Sequence, residues 1–311
     1  MSYQLREINQ RVKCDPKAFV EESDCKYQEK VSAAADTIAA NLKNSPIVLL
    51  SGPSGSGKTT TAMKIEDELR TRGINTHTIS MDDYFHTLDP KTAPRTAEGE
   101  LDFESPLCLD MDLLNRHFEE LSKGEEVFVP KFEFARQMRS VGKGSSLRLQ
   151  KNEIAIFEGI HALNDEITAR HPNATRLYIS ARSDVLEGEI VRFKGTWMRL
   201  TRRAVRDHNF RGTNVEETLR MWANVRHGEK LYISPFKNRA NFLFDSSLPY
   251  EVSVMKNFAK PLMEALPPEN PRRDELIRLT EAFDCFEAID PELVPRDSLI
   301  REFIGGGSYH Y

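Results

Sequence analysis

The run SGPSGSGKTT at Ser51–Thr60 satisfies the pattern G-x-x-x-x-G-K-[ST] from Gly52 to Thr59, and few folds accommodate it. The apolar run Ile47–Leu50 precedes it and a helical pattern over 58–72 follows it, so a strand, a tight loop and a helix are predicted in that order. Glycines let backbone N–H groups converge on phosphate oxygens, the helix N-terminus contributes its positive dipole end, and the lysine adds a full charge. The run therefore predicts a loop that binds the phosphates of a nucleotide.

Most residues of this loop are candidate nucleotide contacts, and the hydroxyl of Thr59 is also a candidate ligand for Mg²⁺. The candidate contacts are Gly52, Ser54, Gly55, Ser56, Gly57, Lys58, Thr59 and Thr60. A phosphate loop alone indicates only that a nucleotide binds, so the chemistry depends on which other side chains surround the phosphates.

Acidic side chains end two of the other apolar runs. Glu158 follows a buried strand in IAIFEG, where a carboxylate can reach magnesium or its water shell. Asp82 and Asp83 follow a strand in TISMDDYF, where one of them could be the general base of a phosphoryl transfer. Side-chain alternation implies that only one of this pair points inward. The alternatives are a solvated acid at Glu158 and a helix N-cap or turn at the pair.

A basic segment runs from Arg192 to Arg211, with seven basic residues against one acid, Asp207. Arg199, Arg203 and Arg206 recur at spacings of four and three, so on a helix they share a face that could close over a triphosphate as a lid. Guanidinium groups there would neutralise charge that develops during phosphoryl transfer. The alternatives are a solvated basic helix and a patch that binds RNA, and the lack of interleaved aromatic residues argues against RNA.

Short apolar segments alternate with helical or loop segments along the middle of the chain. These segments have the character of core strands: Thr76–Met81, Ile154–Phe157, Arg176–Ile179 and Phe242–Phe244. The alternation predicts an α/β fold with a doubly wound, mainly parallel sheet. Tyr250–Met255 fits a strand or a helix, and a Gly/Ser turn is expected at Lys143–Ser146.

The segments that flank this region differ from it in composition. Residues 1–44 are charged and rich in alanine, and their apolar residues recur at helical spacing, which predicts one amphipathic helix. A Pro-rich break spans Pro261–Pro271, and two short helical patterns follow it. We therefore expect an N-terminal helical extension over 1–44, a main domain over 45–260 and a helical tail over 261–311.

Composition excludes several classes of protein. With 43 Lys and Arg against 48 Asp and Glu in 311 residues, the net charge of −5 gives no reason to expect a nucleic-acid partner. The four cysteines show no C-x-x-C spacing, which argues against a disulfide framework and a structural zinc site and favours a reducing cytoplasm. No signal-like N-terminus and no apolar run of membrane-spanning length is present, so we expect no membrane partner.

The chain resembles the uridine kinase and phosphoribulokinase group of P-loop kinases over residues 45–258. The resemblance is carried, in order, by SGPSGSGKTT, SMDDYF, DFESP, VFVPKFEF, FEGIHAL and RLTRRAVRDHNFRG. MWANVRHGEK and IREFIGG are similar to a uridine-kinase-like bacterial branch. Longer members of that branch carry a region like the N-terminus of threonyl-tRNA synthetase, which has no counterpart here.

The resemblance implies a P-loop NTPase fold with a helical lid, ATP and Mg²⁺ as cofactors, and a homo-oligomer as one possible assembly. It implies that Asp82 is the catalytic base, that Lys58 holds the β/γ-phosphates, and that Thr59 and Glu158, with Asp82, form the magnesium environment. The lid arginines it implies are Arg203, Arg206 and Arg211. It places Glu104 near the hydroxyls of a sugar.

The chain departs from this family at the positions that select the acceptor. Phe132 and Gln137 stand where pyrimidine nucleoside kinases have a Tyr and a His, and Thr213 stands where they have an Arg. Lost hydrogen-bond partners should relax or change the choice of acceptor. The candidate substrate contacts are Asp83, Tyr84, Glu104, Phe132, Gln137 and Thr213.

The sequence therefore predicts an ATP- and Mg²⁺-dependent kinase that phosphorylates a hydroxyl of a small molecule, either a nucleoside resembling uridine or cytidine or a sugar-like acceptor. The alternative is a nucleotide-dependent regulator without a small-molecule acceptor. A guanine-reading [NT]-K-x-D motif is absent from the sequence, which argues against the common regulators. Whether Asp82 or Asp83 is the base, and which acceptor is used, stay open at this stage.

Overall fold

The computed structural model describes residues 2–87, 89, 91–96, 99–133 and 136–310, so Phe134 of the run VFVPKFEF lies outside the described residues. The strands are β1 (Ser2–Gln4), β2 (Ile47–Ser51), β3 (Asn75–Ser80), β4 (Val127–Glu133), β5 (Met138–Leu147), β6 (Glu153–Glu158), β7 (Thr175–Ser180), β8 (Asp184–Glu187), β9 (Ile190–Phe193) and β10 (Phe242–Asp245). The α-helices are α1 (Leu5–Cys14), α2 (Pro16–Asn41), α3 (Lys58–Thr71), α4 (Met111–Ser122), α5 (Asp165–Thr168), α6 (Gly195–Phe210), α7 (Val215–Gly228), α8 (Glu251–Glu264), α9 (Arg273–Asp284) and α10 (Arg301–Ile304).

The main sheet has the strand order β10-β7-β2-β6-β3, and every neighbouring pair in it is parallel. Its strands are the segments that the sequence predicted, so the doubly wound, parallel α/β fold is confirmed. Leu50 and Ser80 both pair with Glu158, which aligns the carboxyl ends of β2, β3 and β6. The segments that follow these strands therefore meet at one edge of the sheet.

Side chains of β2 alternate between two apolar cores because successive residues of a strand point to opposite faces. Val48 and Leu50 face a first core, while Ile47 and Leu49 face a second. Helices α2, α3, α6, α8 and α9 contribute to the first core, and α4 with strands β4 and β5 contributes to the second. Each fully buried aliphatic side chain stabilises such a core by roughly 1.5–3 kcal/mol.

The N-terminal extension is more complex than one helix, and that prediction is wrong. The helical pattern is interrupted at Asp15, whose side chain accepts a hydrogen bond from the N–H of Ala18 at 2.9 Å and so caps α2, while Pro16 occupies the first helical position. Strand β1 precedes both helices and pairs parallel with β8 in a small sheet that also contains β9.

The C-terminal segment packs into the first core. Helix α8 begins at Glu251, directly after its N-cap Tyr250, so the stretch Tyr250–Met255 that fitted a strand or a helix is helical. The helix continues through residue 260, with Pro261 inside it. Leu279, Phe283 and Phe303 of the tail are fully buried in the first core. The segment from residue 261 onward therefore shares the first core with the helices that pack on the sheet.

The Gly/Ser turn expected at 143–146 is not formed, because those residues belong to β5. Gly144 lies opposite Pro130 in the antiparallel pair of β4 and β5, and a Cβ there would overlap the carbonyl oxygen of Val129. The glycine therefore allows two strands to approach closely rather than making a turn. None of the helices in the described residues is long and apolar enough to cross a membrane.

Candidate active site

A cavity of about 260 Å³ lies at the carboxyl edge of the main sheet, where β2, β3 and β6 end. Its walls come from the phosphate loop, the turn after β3, the end of β6, the lid helix α6 and the C-terminal tail. Its lining residues are Ser54, Gly55, Ser56, Gly57, Lys58, Thr59, Asp82, Phe85, Phe103, Glu104, Glu158, Gly159, Ile160, Arg206, Arg211 and Glu302. The structure thus brings together most of the side chains that the sequence singled out, and we refer to this space as the phosphate cavity.

Glycines shape the loop for two different reasons. Gly55 and Gly57 have φ angles of 72° and 79°, which side-chain-bearing residues rarely adopt. Gly52 lies against β7, where a Cβ would overlap the carbonyl oxygen of Ile179. Gly52 does not line the phosphate cavity, so its contribution is the close packing of the loop on the sheet. Thr60 is also buried away from the cavity.

Three successive carbonyl groups of the loop, at residues 54–56, accept hydrogen bonds from distant side chains. Arg199 donates to the Ser54 carbonyl at 3.2 Å, Arg202 to the Gly55 carbonyl at 3.2 Å, and Ser246 to the Ser56 carbonyl at 2.6 Å. The loop is therefore fixed peptide by peptide before a nucleotide binds. Such fixing lowers the entropic cost of ordering the binding groups.

The two arginines behind the loop are themselves paired in the interior. Arg202 is fully buried and bonds Glu251 at 2.5 and 2.8 Å, and Arg199 bonds Glu229 at 2.8 and 3.0 Å. The expectation that Arg199 shares a lid face over the triphosphate is therefore wrong, because its guanidinium is enclosed behind the loop.

The arginines expected in the lid share one carboxylate. Asp207 is buried, and its oxygens lie 3.3 Å from Arg203, 2.7 Å from Arg206 and 3.7 Å from Arg211. Arg206 and Arg211 line the phosphate cavity, while Arg203 donates to the hydroxyl of Ser54 at 3.0 Å. Sequence reasoning missed the role of Asp207, although the residue was visible as the one acid of the basic segment.

The adjacent acids after β3 face different ways. Asp82 lines the phosphate cavity, where burial raises the pKa of its carboxyl and the charge of Lys58 opposes that rise. Asp83 accepts a hydrogen bond from the N–H of Phe132 at 3.2 Å and pairs with Lys131 at 3.0 Å. Asp83 therefore bonds to strand β4, and Asp82 is the acid placed beside the phosphate loop.

Two of the residues that line the phosphate cavity supply hard oxygen groups. Thr59 supplies a hydroxyl, and Glu158 supplies a carboxylate whose pKa burial raises to about 7. No group of three or more His, Cys, Asp or Glu side chains that could cage a metal ion occurs in the part of the chain that the structure describes. A hydroxyl with one or two carboxylates fits Mg²⁺, which keeps several waters and binds largely through substrate phosphates.

A second cavity of about 540 Å³ adjoins the first through Phe103 and Glu104. Burial raises the pKa of the Glu104 carboxyl to about 7, and the nearby Arg203 opposes that rise. A Cβ at residue 228 would overlap the side chain of Glu104, so Gly228 makes room for it. Gln137 lines this second cavity, and its role as a substrate contact stays a prediction.

Two of the candidate substrate contacts lie in the second core instead. Tyr84 is fully buried, and its hydroxyl shares a hydrogen bond with Nδ1 of His117 at 2.9 Å. Phe132 is buried against Phe85, with ring centroids 5.6 Å apart. Both rings pack in the second core and line neither cavity, and their role as substrate contacts stays a prediction. Thr213 donates its N–H to the carbonyl of Asp207 at 3.2 Å and belongs to the lining of neither cavity.

One lining residue comes from a place that sequence reasoning did not consider. Glu302 reaches the phosphate cavity from α10, near the end of the chain, and accepts a hydrogen bond from the Thr60 hydroxyl at 2.5 Å. Its only signal in the sequence was its position within IREFIGG, one of the runs that carry the resemblance.

The central region of this chain is similar in sequence to known proteins. The family model described as "Phosphoribulokinase / Uridine kinase family" matches residues 47–253, which is more than half of the chain. The chain belongs to this family. It is therefore a kinase of a small-molecule substrate with the P-loop kinase fold, as the resemblance implied.

Individual relatives are distant. A uridine kinase of Staphylococcus haemolyticus is 26% identical over 214 residues, which cover 68% of this chain and 93% of the relative. A uridine kinase of Halobacterium salinarum is 26% identical over 195 residues, which cover 62% of this chain and 77% of the relative. A solved structure from Bacillus stearothermophilus, described as a possible uridine kinase, has a TM-score of 0.42 and 19% identity, covering 64% of this chain and 88% of that one.

Proposed function

We propose that this family member transfers the γ-phosphoryl group of ATP, with Mg²⁺, to a hydroxyl group of a nucleoside or sugar-like acceptor. The observation that carries the proposal is the placement of Asp82 beside Lys58 and the phosphate loop, at the junction with a second cavity large enough for a small acceptor. Relatives named as uridine kinases support the nucleoside class.

Each group has a role in the transfer. The acceptor oxygen forms a bond to the γ-phosphorus as the bond to the β–γ bridging oxygen breaks, and Asp82 takes the hydroxyl proton. Lys58 holds the β- and γ-phosphates, while Arg206 and Arg211 neutralise charge on the transferring group. Mg²⁺ held near Thr59 and Glu158 would offset the phosphate charge when bound. Catalysis rests mainly on positioning and electrostatics.

The raised pKa of Asp82 suits a base. Burial removes water that would stabilise the ionised carboxylate of Asp82, so the carboxylate accepts a proton more readily. A general base works best when its pKa lies near the operating pH. Glu104, between the two cavities, is placed to accept hydrogen bonds from acceptor hydroxyls. Of the three departures, Phe132 packs in the second core and Thr213 lines neither cavity, whereas Gln137 lines the second cavity. Gln137 is therefore the departure that argues for an acceptor other than an ordinary pyrimidine nucleoside.

The experiment that tests this proposal measures ATP consumption with a panel of nucleosides, sugars and vitamin precursors and identifies each phosphorylated product by mass. A phosphate ester of uridine or cytidine supports the proposal and shows that other residues compensate for the departures. If a phosphate ester forms with another acceptor and not with uridine or cytidine, the proposal is also supported. Gln137 and its neighbours in the second cavity are then the specificity determinants. Tight ATP binding without any ester would contradict it and favour a nucleotide-dependent regulator.

A further inference from the structure

The C-terminal tail packs against both the phosphate loop and the lid helix α6, whose Asn209 donates a hydrogen bond to the carbonyl of Phe303 at 3.4 Å. Leu299 packs so closely on the loop that a Cβ at Gly57 would overlap its side chain. Phe303 is fully buried, with the Arg202 guanidinium 5.2 Å from its ring centroid. Between them, the Glu302 side chain enters the phosphate cavity. This tail lies outside the region that the family model matches.

Glu302 is held in one orientation by its surroundings. It is only 7% exposed and accepts the hydrogen bond from Thr60 at 2.5 Å. The segment that carries it is tied down by Arg301, which donates to the carbonyls of Pro291 at 3.0 Å and Val294 at 2.6 Å. A buried carboxylate held rigidly beside a binding site contributes a fixed charge to it.

The charges of the phosphate cavity are close to balance. Carboxylates come from Asp82, Glu104, Glu158 and Glu302, and cations come from Lys58, Arg206 and Arg211. Glu302 interacts electrostatically with both Glu158 and Arg211, so its charge acts at the centre of this set. Metal-free ATP carries more negative charge than the cavity's cations can offset, whereas Mg²⁺ removes two of those charges.

We propose that Glu302 makes nucleotide binding at this site depend on Mg²⁺, by repelling metal-free triphosphate and favouring the magnesium complex. The inference rests on the proposed use of ATP. It assigns the tail residue a selective role in the nucleotide site in addition to its bond with Thr60. Repulsion between a carboxylate and a phosphate a few ångströms apart is large enough at an effective dielectric of about 20 to change an affinity by about tenfold or more.

The variant Glu302→Gln tests this inference because it removes the charge and keeps an amide oxygen that can accept from Thr60. Dissociation constants for ATP are measured by calorimetry at pH 8 without acceptor, once in excess EDTA and once in saturating Mg²⁺. We expect metal-free ATP to bind the variant about tenfold more tightly than it binds the parent, with the magnesium complex bound equally or more weakly. The matched control Glu292→Gln changes an exposed carboxylate of the same tail and should leave both constants unchanged.

Two further measurements separate selectivity from support of the fold. Glu302→Asp keeps the charge, so its ratio of metal-free to magnesium constants should stay near that of the parent, and the melting temperature of each variant reports folding. If Glu302→Gln changes both constants by one factor or changes neither, the residue only anchors the tail and the inference is overturned. A parent protein that binds no ATP would contradict both this inference and the proposed function. If the parent binds ATP but forms no phosphorylated product, the proposed function fails, and the ratio of the metal-free to the magnesium dissociation constant still tests this inference.

Discussion

At the scale of single residues, neighbours in the sequence have different tasks because the chain turns sharply after β3. The residues Met81–Tyr84 form one turn of 3-10 helix, which sends Asp82 into the phosphate cavity and Asp83 toward β4. The sequence limited the base to this pair, and side-chain alternation predicted that one acid points inward. Which one does so depends on the turn, which the local sequence did not reveal.

Asp83 is expected to support the fold. Replacing it by Ala (Asp83→Ala) removes the acceptor of the Phe132 N–H and the partner of Lys131, so stability should fall by about 1–2 kcal/mol. Urea unfolding measures the change. An unchanged midpoint would contradict a structural role for this carboxylate, and binding of ATP should be retained because Asp83 does not line the phosphate cavity.

Asp24 predicts a dependence of stability on pH. Burial raises the pKa of its carboxyl to about 6, although Tyr250 and Ser298 donate to it at 2.8 and 3.0 Å. Because the folded protein holds this proton more tightly than the unfolded chain does, the parent loses stability as the pH rises from about 4 to about 6. Asp24→Asn cannot lose a proton there.

The melting temperature of Asp24→Asn should therefore rise relative to the parent by a few degrees between pH 4 and pH 6, and the difference should be constant above pH 7. Glu29→Gln, at an exposed carboxylate on the same helix α2, serves as the control and should show no such trend. A difference that is flat across this range, or that falls as the pH rises, would rule out a raised pKa at Asp24.

At the scale of elements, the phosphate loop depends on the packing around it as much as on its own residues. Its glycines and lysine were readable from the sequence because their pattern is local. Arg199, Arg202 and Ser246, which hold its carbonyls, are more than 140 residues away along the chain. No local pattern distinguishes an arginine that holds a carbonyl from one that faces phosphate, so the sequence placed Arg199 in the lid.

Gly52→Ala tests the close approach of the loop to β7. The added Cβ would overlap a backbone oxygen of Ile179, which cannot rotate away, so we expect a loss of about 3 kcal/mol or more. Gly73→Ala is the matched control, because that glycine has a positive φ of 74° with open space around it and should lose only about 1 kcal/mol. Equal losses in the two variants, measured by urea unfolding, would show that the loop can move off the strand.

The same distinction between local and distant signals explains which other parts of the fold could be predicted from the sequence. The five strands of the main sheet were predicted because short apolar runs bounded by polar segments are local features. The hairpin of β4 and β5 was missed, since its glycine and serines read as a turn. Asp207 and Glu302 were missed as site residues because their importance depends on the arginines and the loop that fold against them.

At the scale of the whole molecule, both ends of the chain complete one core. Val31 of α2 and Leu279 of α9 are fully buried in the first core, beside the strands of the main sheet. Helix α8 passes without interruption through residue 260. The division into an extension, a main domain and a tail stays a prediction from composition, and the shared core predicts that these parts unfold together.

Val31→Ala and Leu279→Ala should each lower the free energy of unfolding by about 2–4 kcal/mol. Each variant should still unfold in one common transition, at a lower melting temperature. Circular dichroism and the fluorescence of Trp197 and Trp222 should give the same midpoint in each variant. Ile277→Ala, on the same helix as Leu279 but 41% exposed, is the control and should have little effect. Two separate transitions, with only one of them shifted by Leu279→Ala, would show instead that the tail folds independently.

We propose that the edge of the sheet between the phosphate loop and Asp82 is a site of phosphoryl transfer to a small-molecule hydroxyl. The most direct measurement follows the γ-phosphoryl label of ATP into a mixture of nucleosides and sugars, for the parent and for Asp82→Asn, with ATP affinity measured alongside. We predict a labelled phosphate ester from the parent, a rate lower by about a thousandfold or more in the variant, and ATP affinities within about threefold of each other. A parent that labels no acceptor, or a variant that labels it at the parental rate, would contradict the claim.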